Sequence, residues 1–182
     1  MIAERGFAAT RIADVAERAG TSAPGVLYWF DSRDQLLAEA LTFAEDEFAR
    51  ELDAKLAELD GAPARLAALI GNSVGGEEWV LWLELWTRAL RDPDLAEARQ
   101  RLDDQWRAQI AEIVRDGQAN GDFAGNEPER VALELAALID GLAVQVALGD
   151  TAVSPELMRA TCIEVAERLL EVELPSLSEA LA

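Results

Sequence analysis

Residues 4–37 read ERGFAATRIADVAERAGTSAPGVLYWFDSRDQLL, and this stretch decides the fold. Apolar side chains recur at helical spacing in residues 12–19, and Gly20 ends that short helix. Ser22 then begins a second short helix that runs to about Phe30. Two short helices joined by a tight turn have the dimensions of a helix-turn-helix.

The same helical period continues through the rest of the chain, whereas the alternating pattern of a β-strand is nearly absent. Thr10 is expected to cap the first short helix, and Ser32 with Gln35 forms a capping box that opens a long one. The sequence therefore predicts an all-α fold. The further helices are expected to begin near Pro63, Glu77, Pro93, Asn126 with Glu129, and Ser154 with Pro155.

The composition argues against an enzyme. The 182 residues contain no histidine, which removes the commonest general base and every histidine-containing metal site. Cys162 is the single cysteine, so neither an intrachain disulfide nor a thiolate cluster can form, as suits a reducing cytosol. No apolar run approaches the roughly 18 residues of a membrane span. We expect a cytoplasmic protein without catalytic residues, metal, cofactor or membrane partner.

The stretch 4–37 closely resembles the DNA-binding domain of the TetR family of transcriptional repressors. This resemblance implies a helix-turn-helix DNA-binding domain over residues 1–44, with the motif at about 11–30. It also implies an effector-binding and dimerisation domain over residues 45–182. The matching features, at fixed spacing, are Gly6-Phe7, Thr10, Ile12-Ala13, Val15-Ala16, Ala19-Gly20, Ser22, Tyr28 to Phe30, and Asp31-Ser32-Arg33.

The resemblance implies that the second helix of the motif enters the major groove of DNA, with its N-terminal residues at the base edges. Other side chains near the motif are then expected at phosphates. In this sequence Ala23 replaces a Lys and Trp29 replaces a His that many members carry, which weakens non-specific binding because fewer counterions are released. The predicted DNA-binding residues are Arg11, Thr21, Ser22, Ala23, Pro24, Gly25, Tyr28, Trp29 and Arg33.

Charge is distributed unevenly along a chain whose net charge is -19. Up to Ala40 there are four basic and six acidic residues, whereas the remainder carries 12 basic and 29 acidic ones. Such a chain is expected to bind nucleic acid poorly in general. Its near-neutral N-terminal part is nevertheless compatible with binding to a specific DNA sequence. The alternative is a helical adaptor or ligand-binding protein of the same fold that does not bind DNA.

Two stretches resemble the effector-binding domain of choline-sensing repressors within the family, residues 82–110 and 137–149. In the family, the helices of the tryptophan-bearing segments wall the ligand cavity. Indole faces beside a carboxylate suit a lipophilic cation, although an aromatic stripe is also typical of an ordinary core. The predicted ligand-binding residues are Trp79, Trp82, Trp86, Trp106 and Glu84.

Residues 127–148 are apolar on nearly all sides, so this helix needs cover on two faces. The family pairs its last two helices with those of a second copy, which implies a homodimer; the alternative is a helix buried in its own chain. The predicted interface residues are Val131, Leu135, Leu138, Leu142, Val146, Val165 and Leu169. The resemblance as a whole implies a repressor that a small-molecule effector releases from a palindromic double-stranded operator.

The start of the chain departs from the family, whose members place a full helix before the motif. Only Met1 to Arg5 precede Gly6-Phe7, which is barely one helical turn. We therefore expect a truncated first helix. Either the natural chain begins upstream of Met1, or the DNA-binding domain is less tightly packed than the C-terminal domain.

Overall fold

The computed structural model describes residues 9–74 and 77–176, which form eight complete α-helices and no β-strand. The predicted all-α class is confirmed. The predicted truncation of the first helix falls on residues 1–8, which lie outside the described residues. The helices are α1 Ile12–Arg18, α2 Ala23–Trp29, α3 Arg33–Ala57, α4 Ala62–Asn72, α5 Glu77–Ala89, α6 Pro93–Asn120, α7 Pro128–Ala147 and α8 Pro155–Leu170.

Serine caps begin three of these helices where the sequence predicts them. The hydroxyls of Ser22, Ser32 and Ser154 each accept a hydrogen bond from the backbone N–H three residues later, at 3.0 to 3.2 Å. The side chain of Gln35 also accepts a hydrogen bond from the backbone N–H of Asp31 at 2.6 Å. These bonds satisfy N–H groups that a helix start otherwise leaves unpaired.

Two other helix starts lie one residue later than predicted. The N-cap of α1 is Arg11, whose backbone N–H donates to Asp14 Oδ2 at 3.1 Å, while Thr10 is buried. The N-cap of α7 is Glu127, because the side-chain amide of Asn126 instead donates to a backbone carbonyl in the last turn of α8 at 3.0 Å.

The chain divides into two compact units. The first unit contains the described residues up to Glu47 together with Glu77–Leu102, and the second contains residues 48–74 and 103–176. Helices α3 and α6 each contribute residues to both units. The boundary predicted between residues 44 and 45 divides DNA binding from effector binding and dimerisation, whereas the two compact units are defined by packing. The predicted boundary therefore stays a prediction.

The first unit contains the helix-turn-helix and a separate cluster of leucines. Helices α1 and α2 pack on each other, with Ala16 and Val26 buried. Helices α3, α5 and α6 contribute the cluster, against which Trp82 packs. Its buried members are Leu41, Leu85, Leu95 and Leu102.

The second unit has the larger core, built where α8 packs on α7 and on α4. Cys162 of α8 is fully buried there, and burial raises the pKa of its thiol to about 11. Within the two described ranges, no helix combines the length and apolarity needed to cross a bilayer. The largest fully buried side chains of this unit are Leu66, Leu69, Ile70, Ile110, Val114, Leu135, Ile139, Met158 and Leu170.

Candidate functional site

Helix α2 leaves two large aromatic side chains in solvent. Tyr28 is 80% exposed and Trp29 is 76% exposed, and their rings meet edge to face with centroids 5.3 Å apart. An exposed aromatic pair of this kind is typical of a surface that binds a partner. Of the other residues predicted at DNA, Arg11, Thr21, Ser22 and Pro24 are exposed, and Ala23, Gly25 and Arg33 are half-buried.

The turn that enters α2 is fixed by backbone geometry. Gly20 has a φ of +67°, and the backbone N–H of Thr21 donates to the carbonyl of Ala16 at 2.9 Å. A Cβ atom at Gly25 would lie 2.7 Å from Thr21 Oγ1, closer than real Cβ contacts allow. A side chain at position 25 would therefore require the Thr21 side chain to move, so packing inside the motif disfavours one at this position.

Three of the predicted tryptophans lie on one face of α5. The ring centroid of Trp86 is 6.2 Å from those of both Trp79 and Trp82. Trp82 also packs against the leucine cluster, so this indole serves the core as well. Trp106 is half-buried and belongs to the second unit.

The indole N–H of Trp86 is buried and makes no hydrogen bond to any of the described residues. A buried donor without an acceptor costs free energy. The position therefore favours a bound molecule that carries an acceptor atom.

Glu84 does not share the tryptophan face, which corrects its predicted place beside the indoles. It is two residues from both Trp82 and Trp86, and a helix turns about 200° over that interval. Glu84 instead lines a cavity of about 630 Å³ in the first unit. The other residues of this cavity are Asp34, Val80, Leu83, Thr87, Arg88, Arg91, Asp92 and Leu95.

An ion pair that the sequence did not reveal crosses this cavity. Arg88 Nη1 of α5 donates to Asp34 Oδ1 in the first turn of α3 at 3.0 Å. The two residues are 54 positions apart, so no local spacing rule could connect them. Helix α5 is thereby tied to the turn that carries Arg33.

The seven residues predicted at the dimer interface do not share one outward face. Val131 and Leu135 are fully buried in the core of their own chain, which corrects their predicted role. The other five, Leu138, Leu142, Val146, Val165 and Leu169, are half-buried. Leu133 of α7 is 53% exposed, the C-cap residue Leu148 is 72% exposed, and Leu157 of α8 is 48% exposed.

The carboxylates at the starts of α7 and α8 are stabilised in their charged form. The pKa of Glu129 is lowered mainly by a backbone hydrogen bond and, to a smaller extent, by a hydrogen bond from the Arg115 guanidinium. A backbone hydrogen bond and then the Ser154 hydroxyl lower the pKa of Glu156. In the part of the chain that the structure describes, no group of three or more side chains could hold a metal ion.

Known proteins share both parts of this arrangement. Residues 1–40 match the profile of the bacterial regulatory proteins of the tetR family, and residues 64–171 match the C-terminal domain of BetI-type transcriptional repressors. The chain belongs to the TetR family of transcriptional regulators. It is a ligand-responsive TetR-family repressor of the BetI type, and hence a DNA-binding regulator rather than an enzyme, as the sequence predicts.

Relatives of this TetR-family chain match it over most of its length. The HTH-type transcriptional regulator BetI of Burkholderia mallei is 28% identical over 157 residues, covering 81% of this chain and 76% of the relative. BetI of Brucella suis is 24% identical over 182 residues, covering 95% of this chain and 85% of the relative.

Solved structures of transcriptional regulators have the same fold. A putative transcriptional regulator from Saccharomonospora viridis, in complex with choline, is 32% identical with a TM-score of 0.81 and covers 93% of this chain and 91% of its own. A TetR transcription regulator from Haloarcula marismortui is 25% identical, also with a TM-score of 0.81, and covers 93% of this chain and 92% of its own.

Proposed function

We propose that this chain is a homodimeric repressor that a quaternary ammonium compound releases from a pseudo-palindromic operator. The observation that carries the proposal is the cluster of Trp79, Trp82 and Trp86 on one face of α5. The choline complex of the 32% identical Saccharomonospora viridis regulator supports the class of ligand.

The chemistry of the tryptophan face fits such a ligand. A quaternary ammonium group carries its charge on methyl groups that cannot donate strong hydrogen bonds, so indole π-faces attract it better than they attract hydrated cations. The buried N–H of Trp86 would donate to the hydroxyl oxygen of choline. Both interactions use residues of α5 alone.

The DNA half of the proposal rests on α2. The exposed Tyr28 and Trp29, and the small residues before them, suit insertion into a major groove with polar tips at phosphates. Two-fold symmetry of the dimer requires two half-sites, about one helical turn apart or slightly more. Release requires that the effector prefer the conformation that cannot bind DNA.

The outward face of α7 suits a second copy. Leu133, Ala137, Gly141, Val144 and Leu148 recur at helical spacing on the side opposite the buried residues. Apart from the chain neighbours of Gly141 and the adjacent backbone of α7, no described residue lies within 4 Å of the position that a Cβ there would occupy. Glycine nevertheless costs about 1 kcal/mol inside a helix relative to alanine. Close approach of a second helix accounts for a glycine at that position.

The test uses a duplex selected by the protein from random sequences, with choline as the probe and 3,3-dimethyl-1-butanol as its neutral isostere. We expect nanomolar-range binding to a two-fold symmetric site and a decrease of about tenfold or more in DNA affinity with choline only. Failure to select a symmetric site would contradict operator binding. An equal effect of both compounds would contradict recognition of the cation.

A further inference from the structure

The outward face of α2 is unusually apolar for a helix that binds DNA. Residues 21–29 read TSAPGVLYW and contain no charged side chain and no side-chain amide. Val26 is buried, and at about 100° per residue Pro24 and Tyr28 lie on the opposite side of the helix. Pro24 is exposed, and Leu27, which flanks this side, is 48% exposed. The outward face of α2 therefore consists of Pro24, Leu27 and Tyr28.

The backbone at the start of α2 adds few hydrogen-bond donors to this face. Pro24 has no N–H group. The N–H of Gly25 donates to the Ser22 hydroxyl at 3.2 Å, and the N–H of Val26 donates to the Ser22 carbonyl at 3.0 Å. The outward face of α2 therefore presents mainly carbon atoms to a partner.

The base edges in the major groove differ in the side chains that recognise them. Guanine is recognised by Arg or Lys, adenine by Asn or Gln, and cytosine by Asp or Glu, because these pairs match in hydrogen-bond geometry. None of these six residue types occurs in residues 21–29. Thymine alone presents a methyl group, which apolar side chains contact. The composition of α2 therefore favours thymine.

We propose that the outward face of α2 selects thymine, and that Pro24 and Leu27 recognise its 5-methyl group in the major groove. Burial of a methyl group against apolar side chains favours thymine without any hydrogen bond to the base. Tyr28, on the same face, contributes a hydroxyl for a phosphate. The inference deepens the proposed function and rests on its placement of α2 in the major groove.

Deoxyuridine tests this inference, because it pairs as thymidine does and lacks only the methyl group. The quantity to measure is the methyl ratio, defined as the Kd for the selected duplex with deoxyuridine at every thymidine divided by the Kd for the unmodified duplex. Loss of one buried methyl group should weaken binding about fourfold, so one contacted thymine in each of two half-sites gives a ratio of about 15. Replacing guanine by 7-deazaguanine, which lacks the N7 acceptor, should change the Kd by less than about twofold.

Leu27→Ala links the methyl ratio to α2. The variant should lose affinity for the unmodified duplex and much less for the deoxyuridine duplex, so the methyl ratio should fall about fivefold. Both duplexes are bound by the same protein, so any loss of folded protein cancels in the ratio. Pro24→Ala is the second variant and should lower the ratio in the same direction.

Two variants serve as matched controls. Tyr28→Phe removes a hydroxyl from the same face, so it should weaken binding of both duplexes equally and keep the methyl ratio within about twofold. Leu90→Ala makes the same change as Leu27→Ala at a residue of the first unit that is 83% exposed. It should leave both the Kd and the methyl ratio within about twofold of the original protein.

Failure of the proposed function and failure of this inference give different results. If the protein selects no symmetric duplex, operator binding fails and the inference fails with it. If a symmetric duplex is selected but its methyl ratio is below about 10, operator binding stands and the inference is overturned. A larger loss of affinity with 7-deazaguanine than with deoxyuridine would also overturn it. So would a methyl ratio that neither Leu27→Ala nor Pro24→Ala lowers, because the methyl contact would then lie elsewhere on the protein.

Discussion

The two compact units differ in how their interiors are built. Among the residues that the structure describes, eleven large side chains are less than 2% exposed; nine of them lie in the second unit and two, Leu85 and Leu95, lie in the first. The first unit instead has exposed aromatic residues on α2 and a charged cavity beside α5. Because local stability follows buried apolar contact, the first unit is the part suited to change conformation and the second is suited to act as a scaffold.

The largest expected effect concerns the dimer that we propose forms through the second unit. Ala137→Glu places a charge at the centre of the outward face of α7, and two-fold symmetry places a second one opposite it. We expect dimerisation about 1,000-fold weaker, measured by analytical ultracentrifugation. Leu90→Glu changes a residue that is 83% exposed in the first unit and is the control. An unchanged dimer in the Ala137 variant would place the interface on another face.

The next effect tests packing within the second unit. Leu135 is fully buried, so Leu135→Ala should lower the free energy of unfolding by about 3 kcal/mol. Leu90→Ala, at an exposed position, should change it by less than about 1 kcal/mol. Urea denaturation followed by circular dichroism measures both. Equal losses in the two variants would show that the second unit has no tightly packed core.

Cys162 makes the stability of the second unit depend on pH. Burial raises the pKa of its thiol to about 11, so the folded state keeps the proton after the unfolded chain has lost it. The stabilisation is complete below the ordinary thiol pKa near 8.5 and is lost as the pH rises toward 11, by about 3 kcal/mol. Cys162→Ala should flatten the decline over that range. The same slope in both proteins would exclude this thiol as the cause.

The smallest effect compares two serine caps of equal geometry. Ser22 and Ser154 each accept a backbone N–H at 3.2 Å, so either change to alanine should cost about 1 kcal/mol. Ser22→Ala should speed amide exchange in α2 and weaken DNA binding. Ser154→Ala should lower global stability and leave DNA binding unchanged. If both variants affected DNA binding equally, the two caps would not report on separate units.

Local features could be predicted from the sequence and long-range ones could not. The caps at Ser22, Ser32 and Ser154 depend on residues within four positions, so their spacing sufficed. Val131 and Leu135 were wrongly predicted at the dimer interface. A helix that is apolar on nearly all sides does not show in its sequence which side its own chain covers. Helical periodicity alone would have separated Glu84 from the tryptophans, whereas no sequence signal joins Asp34 to Arg88.

Amide hydrogen exchange, measured with and without saturating choline, tests the central claim most directly. This claim is that the first unit changes conformation when the effector binds, while the second unit acts as a scaffold. Without choline, residues 12–29 should exchange at least about 100-fold faster than residues 131–143 and 158–170. Choline should alter exchange in residues 79–92 and 33–37 and leave the two segments of α7 and α8 unchanged. Equal protection of the two units, or a choline response confined to α7 and α8, would contradict this division of roles.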